Sequence, residues 1–464
     1  MEREDPIGPS SPGLERTRRV HIVTYGCQMN VYDTRRILQV LRPLGYEEVA
    51  DPALADLVLL NTCSVRERPE RKVVSMLERL RPLKDARPEM LFGVCGCVGQ
   101  QHGAALFERV PFLDLVFGTD NIADLPALLR EAGRGRRASR TTRMARRDYR
   151  FLDVDPGVES GPCAFLTIMK GCDKACSYCI VPYVRGREVS KPASQVLAEV
   201  RRLVDAGVRE VTLLGQNVNS YGHDRPEDGC DFASLLERVA SIPGLKRLRF
   251  VTSHPADADP RMIECFRDLR ILAPYLHLPL QSGSDRVLAR MRRGYTVAQY
   301  LATLEKAREA CPDIALSTDI IVGFPGETRE DFDATLRAVE AAQFDTMFSF
   351  KYSARPHTAA ARWDDDVPEP EKAARLKELQ AMQDEITASR MLRFHGRIEP
   401  VLIEGPSRNN PAEWMGRTGT NFLVHAPPPD RMRIEPGDLV PVRIDQVLAH
   451  CLRGTVVGPE QNSR

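Results

Sequence analysis

Apolar runs alternate with amphipathic stretches along the first part of the chain. Helical apolar spacing follows these runs, for example at 34–44 and 70–83. Repeated strand–helix units are typical of a parallel α/β sheet. We therefore predict an N-terminal α/β domain over residues 20–131. The apolar runs that we interpret as its strands lie at 20–24, 56–60, 90–94 and 113–117.

The same alternation returns in the middle of the chain with better-defined strands. A closed eight-unit barrel of this kind takes about 250 residues, which is more than this block offers. We therefore predict an open (βα)6 partial barrel over 158–390, ending in a long polar helix at 369–390. The six strand-like runs lie at 165–169, 210–214, 247–252, 275–280, 315–322 and 346–352.

Beyond residue 397 the pattern changes to short β runs separated by Gly, Pro and Asn turns. These runs, at 401–404, 422–425, 439–444 and 452–456, predict a small antiparallel β-barrel over 391–458. The predicted fold class is therefore α/β, with an N-terminal parallel domain, a central partial barrel and a C-terminal β-barrel.

Two polar segments lie outside these blocks. Residues 1–19 are charged and rich in Pro, Ser and Gly without the apolar centre of a secretory signal, which indicates a disordered tail of a cytoplasmic protein. Residues 131–150 carry eight Arg and two acidic residues, so we predict a basic linker over 132–157. Lys plus Arg (65) nearly balance Asp plus Glu (64) over the whole chain, so the positive charge is segregated. No stretch approaches the roughly 20 apolar residues of a membrane span.

The chain has 12 cysteines, and without an export signal we expect them to be reduced and available for metal or redox chemistry. Cys172, Cys176 and Cys179 form a C-x-x-x-C-x-x-C motif after the first strand of the central block, and Gly171 permits the sharp turn that such a motif needs. Structural zinc normally takes four protein ligands, whereas a 4Fe-4S cluster held by three cysteines leaves one iron open. The motif favours the cluster over zinc.

A second group of cysteines is spread over the first domain. Cys27 and Cys63 follow the first and second predicted strands, and both Cys95 and Cys97 end the third. Ligand sites of open α/β sheets gather at this carboxyl edge. Buried thiols without a ligand are the alternative.

In their order, these domains and motifs resemble the radical S-adenosylmethionine (SAM) methylthiotransferases, whose terminal barrel is the TRAM domain, over about residues 20–457. The sequences around Cys27 (Tyr-Gly-Cys-Gln-Met-Asn), Cys63 (Asn-Thr-Cys-Ser-Val-Arg-Glu) and His254 (Thr-Ser-His-Pro), and the segment 118–122, are similar to the branch that acts on N6-dimethylallyladenosine in tRNA. One segment departs from the family: 352–358 reads Tyr-Ser-Ala-Arg-Pro-His-Thr, where relatives more often have Pro before Arg and Gly in place of His357.

The resemblance implies two 4Fe-4S clusters. Cys172, Cys176 and Cys179 would hold the cluster that binds SAM. Cys27, Cys63 and Cys97 would hold an auxiliary cluster, with Cys97 preferred because Gly-Cys-Val matches the family sequence, and Cys95 as a substitute. We interpret the remaining cysteines as core or surface thiols: Cys163, Cys230, Cys265, Cys311 and Cys451.

The implied activity is methylthiolation of carbon 2 of N6-dimethylallyladenosine beside the tRNA anticodon. One SAM would donate a methyl group and a second would supply the radical, with an electron from a donor such as flavodoxin or ferredoxin. We expect a monomer. The alternatives are methylthiolation of a ribosomal-protein side chain or of threonylcarbamoyl-adenosine in tRNA, and an iron-sulfur RNA-binding protein without catalysis.

Further candidate residues lie at strand ends and in basic segments. For SAM they are Tyr178, Gly215, Gln216 and Asp319, with a core role as the alternative for Tyr178. RNA recognition needs positive charge and rings that stack on bases. For RNA the candidates are Arg136, Arg137, Arg140, Trp414 and Arg417.

Overall fold

The computed structural model describes residues 17–458 except 65, 66, 147, 154, 156, 158–160, 409, 430–432 and 450, and leaves out the side chains of 67–71. Within these residues the chain forms two compact units. The first comprises residues 17–25, 33–62 and 68–142, and the second comprises the remainder. The predicted tail lies outside the described residues as far as residue 16.

The first unit contains a six-stranded parallel sheet with the order β2-β1-β3-β4-β5-β6. Every residue of its central strand β3 is buried, as expected for a strand covered on both faces. The strands are β1 (Arg18–Tyr25), β2 (Tyr46–Glu48), β3 (Leu57–Thr62), β4 (Leu91–Cys95), β5 (Leu115–Phe117) and β6 (Ala138–Arg140). The helices of this part of the chain are α1 (Gln28–Leu41), α2 (Glu67–Ala86), α3 (Gly96–His102), α4 (Leu106–Arg109) and α5 (Leu125–Ala132).

Strands β2 and β6 are absent from the sequence-based prediction. Each has three residues and lies at an edge of the sheet. Strand β6 falls inside the segment predicted as a linker, where Ala138 is buried and pairs with Leu115 of β5. The segment 132–157 is therefore not uniformly a linker, because part of it completes the first sheet.

The second unit begins with the central α/β block. Two three-stranded parallel sheets have the orders β7-β10-β11 and β12-β13-β14, and a bridge between Leu248 and Leu272 connects β11 to the segment before β12. The strands are β7 (Cys163–Thr167), the short β8 (Met169–Lys170) and β9 (Val189–Ser190), β10 (Glu210–Leu214), β11 (Arg247–Phe250), β12 (Tyr275–His277), β13 (Ala315–Val322) and β14 (Thr346–Lys351). The six long strands form the predicted partial barrel.

Local signals define several helices of this block. Capping boxes begin α11 at Thr296 with Gln299, and α12 at Thr328 with Asp331. The helices are α6 (Val181–Val184), α7 (Ala193–Asp205), α8 (Phe232–Ala240), α9 (Pro260–Asp268), α10 (Asp285–Arg290), α11 (Val297–Ala310), α12 (Arg329–Ala342) and α13 (Glu369–Met391). In the described part of the chain, no helix combines the length and apolar character needed to cross a bilayer.

The chain ends in a closed five-stranded barrel with the order β15-β16-β17-β19-β18. Its strands are β15 (Ile398–Pro406), β16 (Trp414–Arg417), β17 (Leu423–Ala426), β18 (Leu439–Val447) and β19 (Leu452–Val456). The prediction of a purely antiparallel barrel is wrong in one respect, because β17 pairs with β19 in parallel. Closure requires this contact, since those two strands complete the ring. The predicted fold class is otherwise confirmed.

Candidate cluster sites at the carboxyl ends of the strands

The loop that carries Cys172 turns sharply after β8. Gly171 has φ +75°, and a Cβ at this position would overlap the carbonyl oxygen of Arg187. The N–H of Gly171 donates to the Gln216 side-chain oxygen. The N–H of Cys172 donates to the Gly186 carbonyl at 3.1 Å. Glycine is therefore required here to bring the loop against its neighbour.

The three thiols of this loop influence each other electrostatically. Burial is the largest cause that raises the pKa of Cys172 and of Cys179 to about 12, and the neighbouring Cys176 contributes to both shifts. An Arg293 guanidinium N–H donates to Cys176 Sγ at 3.4 Å. The raised pKa keeps Cys172 and Cys179 protonated near neutral pH, and a bound cationic iron-sulfur centre would stabilise their thiolate forms. Among the described residues, no three or more His, Cys, Asp and Glu side chains are arranged around a single metal-ion position.

Ion pairs hold the same loop in place. The Asp173 carboxylate accepts from Arg146 at 2.6 Å, from Arg187 at 2.8 Å and from the N–H of Glu188 at 3.0 Å. Lys174 pairs with Asp257 at 2.6 Å. The residues between the first two cysteines are thus attached to two different neighbouring segments, which leaves the thiols little freedom.

Buried polar atoms without a hydrogen-bond partner gather beside this loop. Among the described side chains they include Asn217 Oδ1, Ser253 Oγ and His254 Nε2, in the segments that follow β10 and β11. Unsatisfied buried polar groups are costly unless a bound molecule satisfies them. They fit SAM, whose amino, carboxylate and ribose groups both donate and accept hydrogen bonds.

His254 is a neutral donor in this group. Burial, together with the charges of Arg293 and Lys174, lowers its pKa to about 2. Its Nδ1 accepts from the N–H of Ala256 at 3.2 Å, so the proton lies on Nε2. His254 thus combines an Nδ1 that holds the local backbone with an Nε2 that has no hydrogen-bond partner.

The residues predicted to contact SAM have diverse surroundings. A Cβ at Gly215 would lie 2.6 Å from Met169 Cγ, so glycine is needed there for packing. Gln216 holds the N–H of Gly171. The Tyr178 ring packs against Phe324, with centroids 6.3 Å apart, in a small aromatic cluster. Asp319 Oδ2 lies 3.6 Å from His277 Nε2. Their roles toward SAM stay predictions.

Two residues with a strained backbone lie at the same edge. Thr252 and Gln281 have φ of 73° and 74° in the segments that follow β11 and β12. Non-glycine residues rarely adopt this conformation, and Thr, being β-branched, does so least readily. Such strain is concentrated at functional sites. The sequence does not reveal the backbone strain at either position, although Thr252 begins the Thr-Ser-His-Pro motif.

The second group of cysteines follows paired residues of the first sheet. Tyr25 of β1 pairs with Thr62 of β3, and Thr62 is bridged to Gly96. Cys63 and Cys97 each come one residue after these partners, and Cys27 follows Tyr25 by two. Cys95 instead pairs with Asn61 inside the sheet.

Cys27 has the surroundings of a thiolate. A hydrogen bond with the Cys63 thiol lowers its pKa to about 6 against the effect of burial, helped by Arg185 and by the N–H groups of Asn30 and Met29. Because α1 begins at the next residue, these N–H groups belong to a helix N-terminus, which stabilises anions. This chemistry fits a thiolate ligand of an iron-sulfur cluster.

The predicted RNA contacts differ in exposure. Arg136 is exposed, whereas Arg137 donates to the Pro111 carbonyl and Arg140 lies 3.4 Å from Glu131. On β16 of the barrel, Trp414 is half-buried against the barrel core. Arg417, also on β16, pairs with Glu404 at 3.1 Å. Their roles in RNA binding stay predictions.

Three family descriptions match the chain. The Radical SAM superfamily matches residues 166–339, the TRAM domain matches 392–457, and the uncharacterized protein family UPF0004 matches 19–118.

Curated relatives match nearly the whole chain. The tRNA-2-methylthio-N(6)-dimethylallyladenosine synthase of Burkholderia multivorans is 46% identical over 95% of this chain and 97% of its own length. That of Syntrophotalea carbinolica is 47% identical over 91% and 96%. Among solved structures, the radical S-adenosylmethionine methyltransferase TsrM from Kitasatospora setae has a TM-score of 0.54 at 17% identity, covering 74% of this chain and 77% of that chain. At this identity the likeness concerns the fold alone.

Proposed function

The chain belongs to the tRNA-2-methylthio-N6-dimethylallyladenosine synthases, and from this we propose how its residues serve that activity. The enzyme is a radical-SAM tRNA methylthiotransferase that converts N6-dimethylallyladenosine to its 2-methylthio derivative. The observation that carries this function is the 46% identity to such a synthase over 95% of the chain. Its cofactors are a 4Fe-4S cluster and SAM.

We propose that Cys172, Cys176 and Cys179 hold the cluster that binds SAM. When bound, this cluster and SAM supply one-electron chemistry able to remove the hydrogen of an unreactive C–H bond. The chain itself positions the three thiols through the Gly171 turn and the Asp173 ion pairs. The nearby carbonyl oxygen of Arg187 leaves no room for a residue larger than glycine at position 171.

Asn217, Ser253 and His254 are proposed to orient SAM. Their unsatisfied atoms are buried, so a bound ligand would meet them without competing water. His254 donates from Nε2 and does not exchange protons near neutral pH, since its pKa is held far below its ordinary value by burial and nearby cations. It is therefore a hydrogen-bond donor and not an acid or base.

Cys27, Cys63 and Cys97 are proposed to hold a second 4Fe-4S cluster. The support is their equivalent placement at the carboxyl edge of β1, β3 and β4, together with the lowered pKa of Cys27. The lowered pKa has the hydrogen bond with Cys63 as its largest cause, and it leaves Cys27 ready to bind a cation near neutral pH.

The remaining proposals concern the binding partners, the oligomeric state and the cellular location of the enzyme. The TRAM-type barrel, with Trp414 and Arg417, and the basic residues Arg136, Arg137 and Arg140 would contact tRNA. The adenosine would lie beside the anticodon. A small electron carrier such as flavodoxin or ferredoxin would supply the electron. The enzyme would act as a monomer in the cytoplasm, where its tRNA substrate is found.

An anaerobic turnover assay tests the proposed activity. The reconstituted holoenzyme receives dimethylallylated tRNA, SAM, sulfide and a reductant, and tRNA nucleosides are analysed by mass spectrometry. We expect the 2-methylthio nucleoside together with deoxyadenosine. A parallel reaction contains ribosomal protein as an alternative substrate. If deoxyadenosine forms and the ribosomal protein is methylthiolated while the tRNA is not, the assignment of the substrate is wrong.

A further inference from the structure

An exposed pair of aromatic rings lies beside the Cys172–Cys179 loop. Tyr183 of α6 follows Cys179 by four residues and is 37% exposed. Its ring lies 5.8 Å from the His357 ring, with 32° between the two planes. His357 is also exposed and lies in the segment after β14. Both rings can therefore be reached from solvent at the carboxyl end of the partial barrel.

The backbone at His357 indicates that its side chain has a use. His357 has φ +68°, a conformation that glycine adopts freely and other residues rarely adopt. An imidazole kept in a strained conformation, although glycine would fit, indicates a function for the ring.

The loop that carries His357 is firmly held. The hydroxyl of Thr358 donates to the Arg355 carbonyl at 2.7 Å. The N–H of Ala360 donates to the carbonyl of Ser177, which lies between Cys176 and Cys179, at 2.8 Å. His357 is thereby fixed relative to the cysteine loop and to Tyr183.

Positive charge surrounds the ring pair. The Arg143 guanidinium donates to the Tyr183 carbonyl. Arg146 and Arg187 share the Asp173 carboxylate. The segment that contacts Tyr183 therefore carries two of these guanidiniums, those of Arg143 and Arg146. Exposed rings beside positive charge are what single-stranded nucleic acid needs, since bases stack on the rings and phosphates pair with the cations.

We propose that Tyr183 and His357 form a stacking platform for one nucleobase of the tRNA anticodon loop, next to the adenosine that is modified. This proposal rests on the proposed function, because it assumes a tRNA substrate. The platform is separate from the barrel residues Trp414 and Arg417. It would position the loop over the SAM site, so Tyr183 and His357 are positioning residues.

Binding of an anticodon stem-loop RNA to the holoenzyme tests the platform. The RNA carries N6-dimethylallyladenosine, and 2-aminopurine replaces one loop base at a time, so that its fluorescence reports stacking. We expect one loop position whose fluorescence changes on binding wild type. That change should be lost in Tyr183→Ala and His357→Gly and kept in Tyr183→Phe.

The affinity for the stem-loop should change in parallel with the fluorescence: it should fall in Tyr183→Ala and His357→Gly and be kept in Tyr183→Phe. Loss of one stacked ring weakens binding roughly tenfold, without changing the salt dependence that phosphate contacts produce. His357→Gly relieves backbone strain, so its folding is not at risk. Leu54→Ala removes an exposed apolar side chain (50% exposed) from a part of the chain with no proposed tRNA or cofactor contact, and is the control for a nonspecific effect, with unchanged affinity expected.

The outcomes separate this proposal from the proposed function. If wild type methylthiolates tRNA but Tyr183→Ala and His357→Gly retain its affinity and fluorescence change, the stacking platform is wrong. If the two variants lose the affinity and fluorescence change that wild type shows, but wild type forms no tRNA product under any reducing condition, the proposed activity is wrong while the stacking contact with RNA stands. An equal loss of affinity in Leu54→Ala would also overturn the platform.

Discussion

Cys95 and Cys97 lie two residues apart but in different local settings. Cys95 ends β4, is fully buried and pairs with Asn61. Cys97 lies in the first turn of α3, one residue after the Gly96 that is bridged to Thr62. The register therefore makes Cys97 the equivalent of Cys63. Sequence spacing alone could not make this distinction.

Replacement of each cysteine tests the ligand assignment. After anaerobic reconstitution the wild type should hold about eight irons, as expected for two 4Fe-4S clusters. Cys97→Ala should reduce this to about four, whereas Cys95→Ala should retain the wild-type content. Iron and acid-labile sulfide analyses give the numbers. Loss of iron in Cys95→Ala alone would identify Cys95 as the ligand.

Gly171 offers a second test at a single position. Gly171→Ala should lose the Cys172–Cys179 cluster and about half of the iron, because the added Cβ would overlap the Arg187 carbonyl oxygen. Gly207→Ala is the matched control, since Gly207 also has positive φ but open space around its Cα. Full iron content and activity in Gly171→Ala would contradict the steric argument.

Helix α12 begins in a network of charged and hydroxyl groups. Burial would raise the pKa of Asp331, but hydrogen bonds from Arg286, Ser284 and Thr328 hold that pKa well below its ordinary value. The network joins α12 to the start of α10. The capping residue thus also fixes two helices of the partial barrel relative to each other.

The lowered pKa predicts the direction of a pH effect. Ionised Asp331 stabilises the fold above the unfolded pKa of about 4, and this stabilisation is lost as pH falls toward the folded pKa. Asp331→Asn should therefore lower the free energy of unfolding by about 1–2 kcal/mol near pH 7. The difference from wild type should narrow below about pH 4.

Thermal unfolding from pH 7 to pH 3 measures this difference. Glu340→Gln is the control, because Glu340 is an exposed acid near the other end of α12 and its replacement should leave the midpoint nearly unchanged. A difference for Asp331→Asn that stays constant or grows as the pH falls would contradict the assigned role.

A buried ion group connects the terminal barrel to the partial barrel. Arg249 donates to Glu210 at 2.9 Å and to the Gly419 and Thr418 carbonyls at 2.7 Å. Arg247 donates to the carbonyls of Arg417 and Pro400 at 2.8 and 3.0 Å. Glu210 is therefore the carboxylate that permits two buried guanidiniums to hold the barrel backbone.

Removal of this carboxylate should loosen the barrel. Glu210→Gln leaves the buried arginines without their partner and should cost about 3 kcal/mol. Asp313→Asn is the matched control, because the Asp313–Arg397 pair joins the same two parts at 3.0 Å but is exposed, so its loss should cost less than about 1 kcal/mol. Thermal unfolding and proteolytic release of the barrel measure both. If Glu210→Gln and Asp313→Asn lowered the stability equally and only slightly, Glu210 would not have the proposed role of anchoring the barrel.

Several elements could be predicted closely because their signals are local. The long polar helix predicted at 369–390 is α13 (Glu369–Met391). Helices α11 and α12 begin at capping boxes that are visible in the sequence. Strands β2, β6 and β16 were missed. Each has three or four residues, and such short strands form only because a neighbouring strand pairs with them.

The features of the candidate site also fall into two classes, those that the local sequence predicts and those that depend on tertiary packing. The spacing of Cys172, Cys176 and Cys179 and the order of the three folded blocks determined the family, because ligand spacing and apolar periodicity are properties of neighbouring residues. The grouping of Asn217, Ser253 and His254, and the contact between Tyr183 and His357, were decided by tertiary structure. These residues come from separate strand ends and loops, so only the packing of distant segments brings them together.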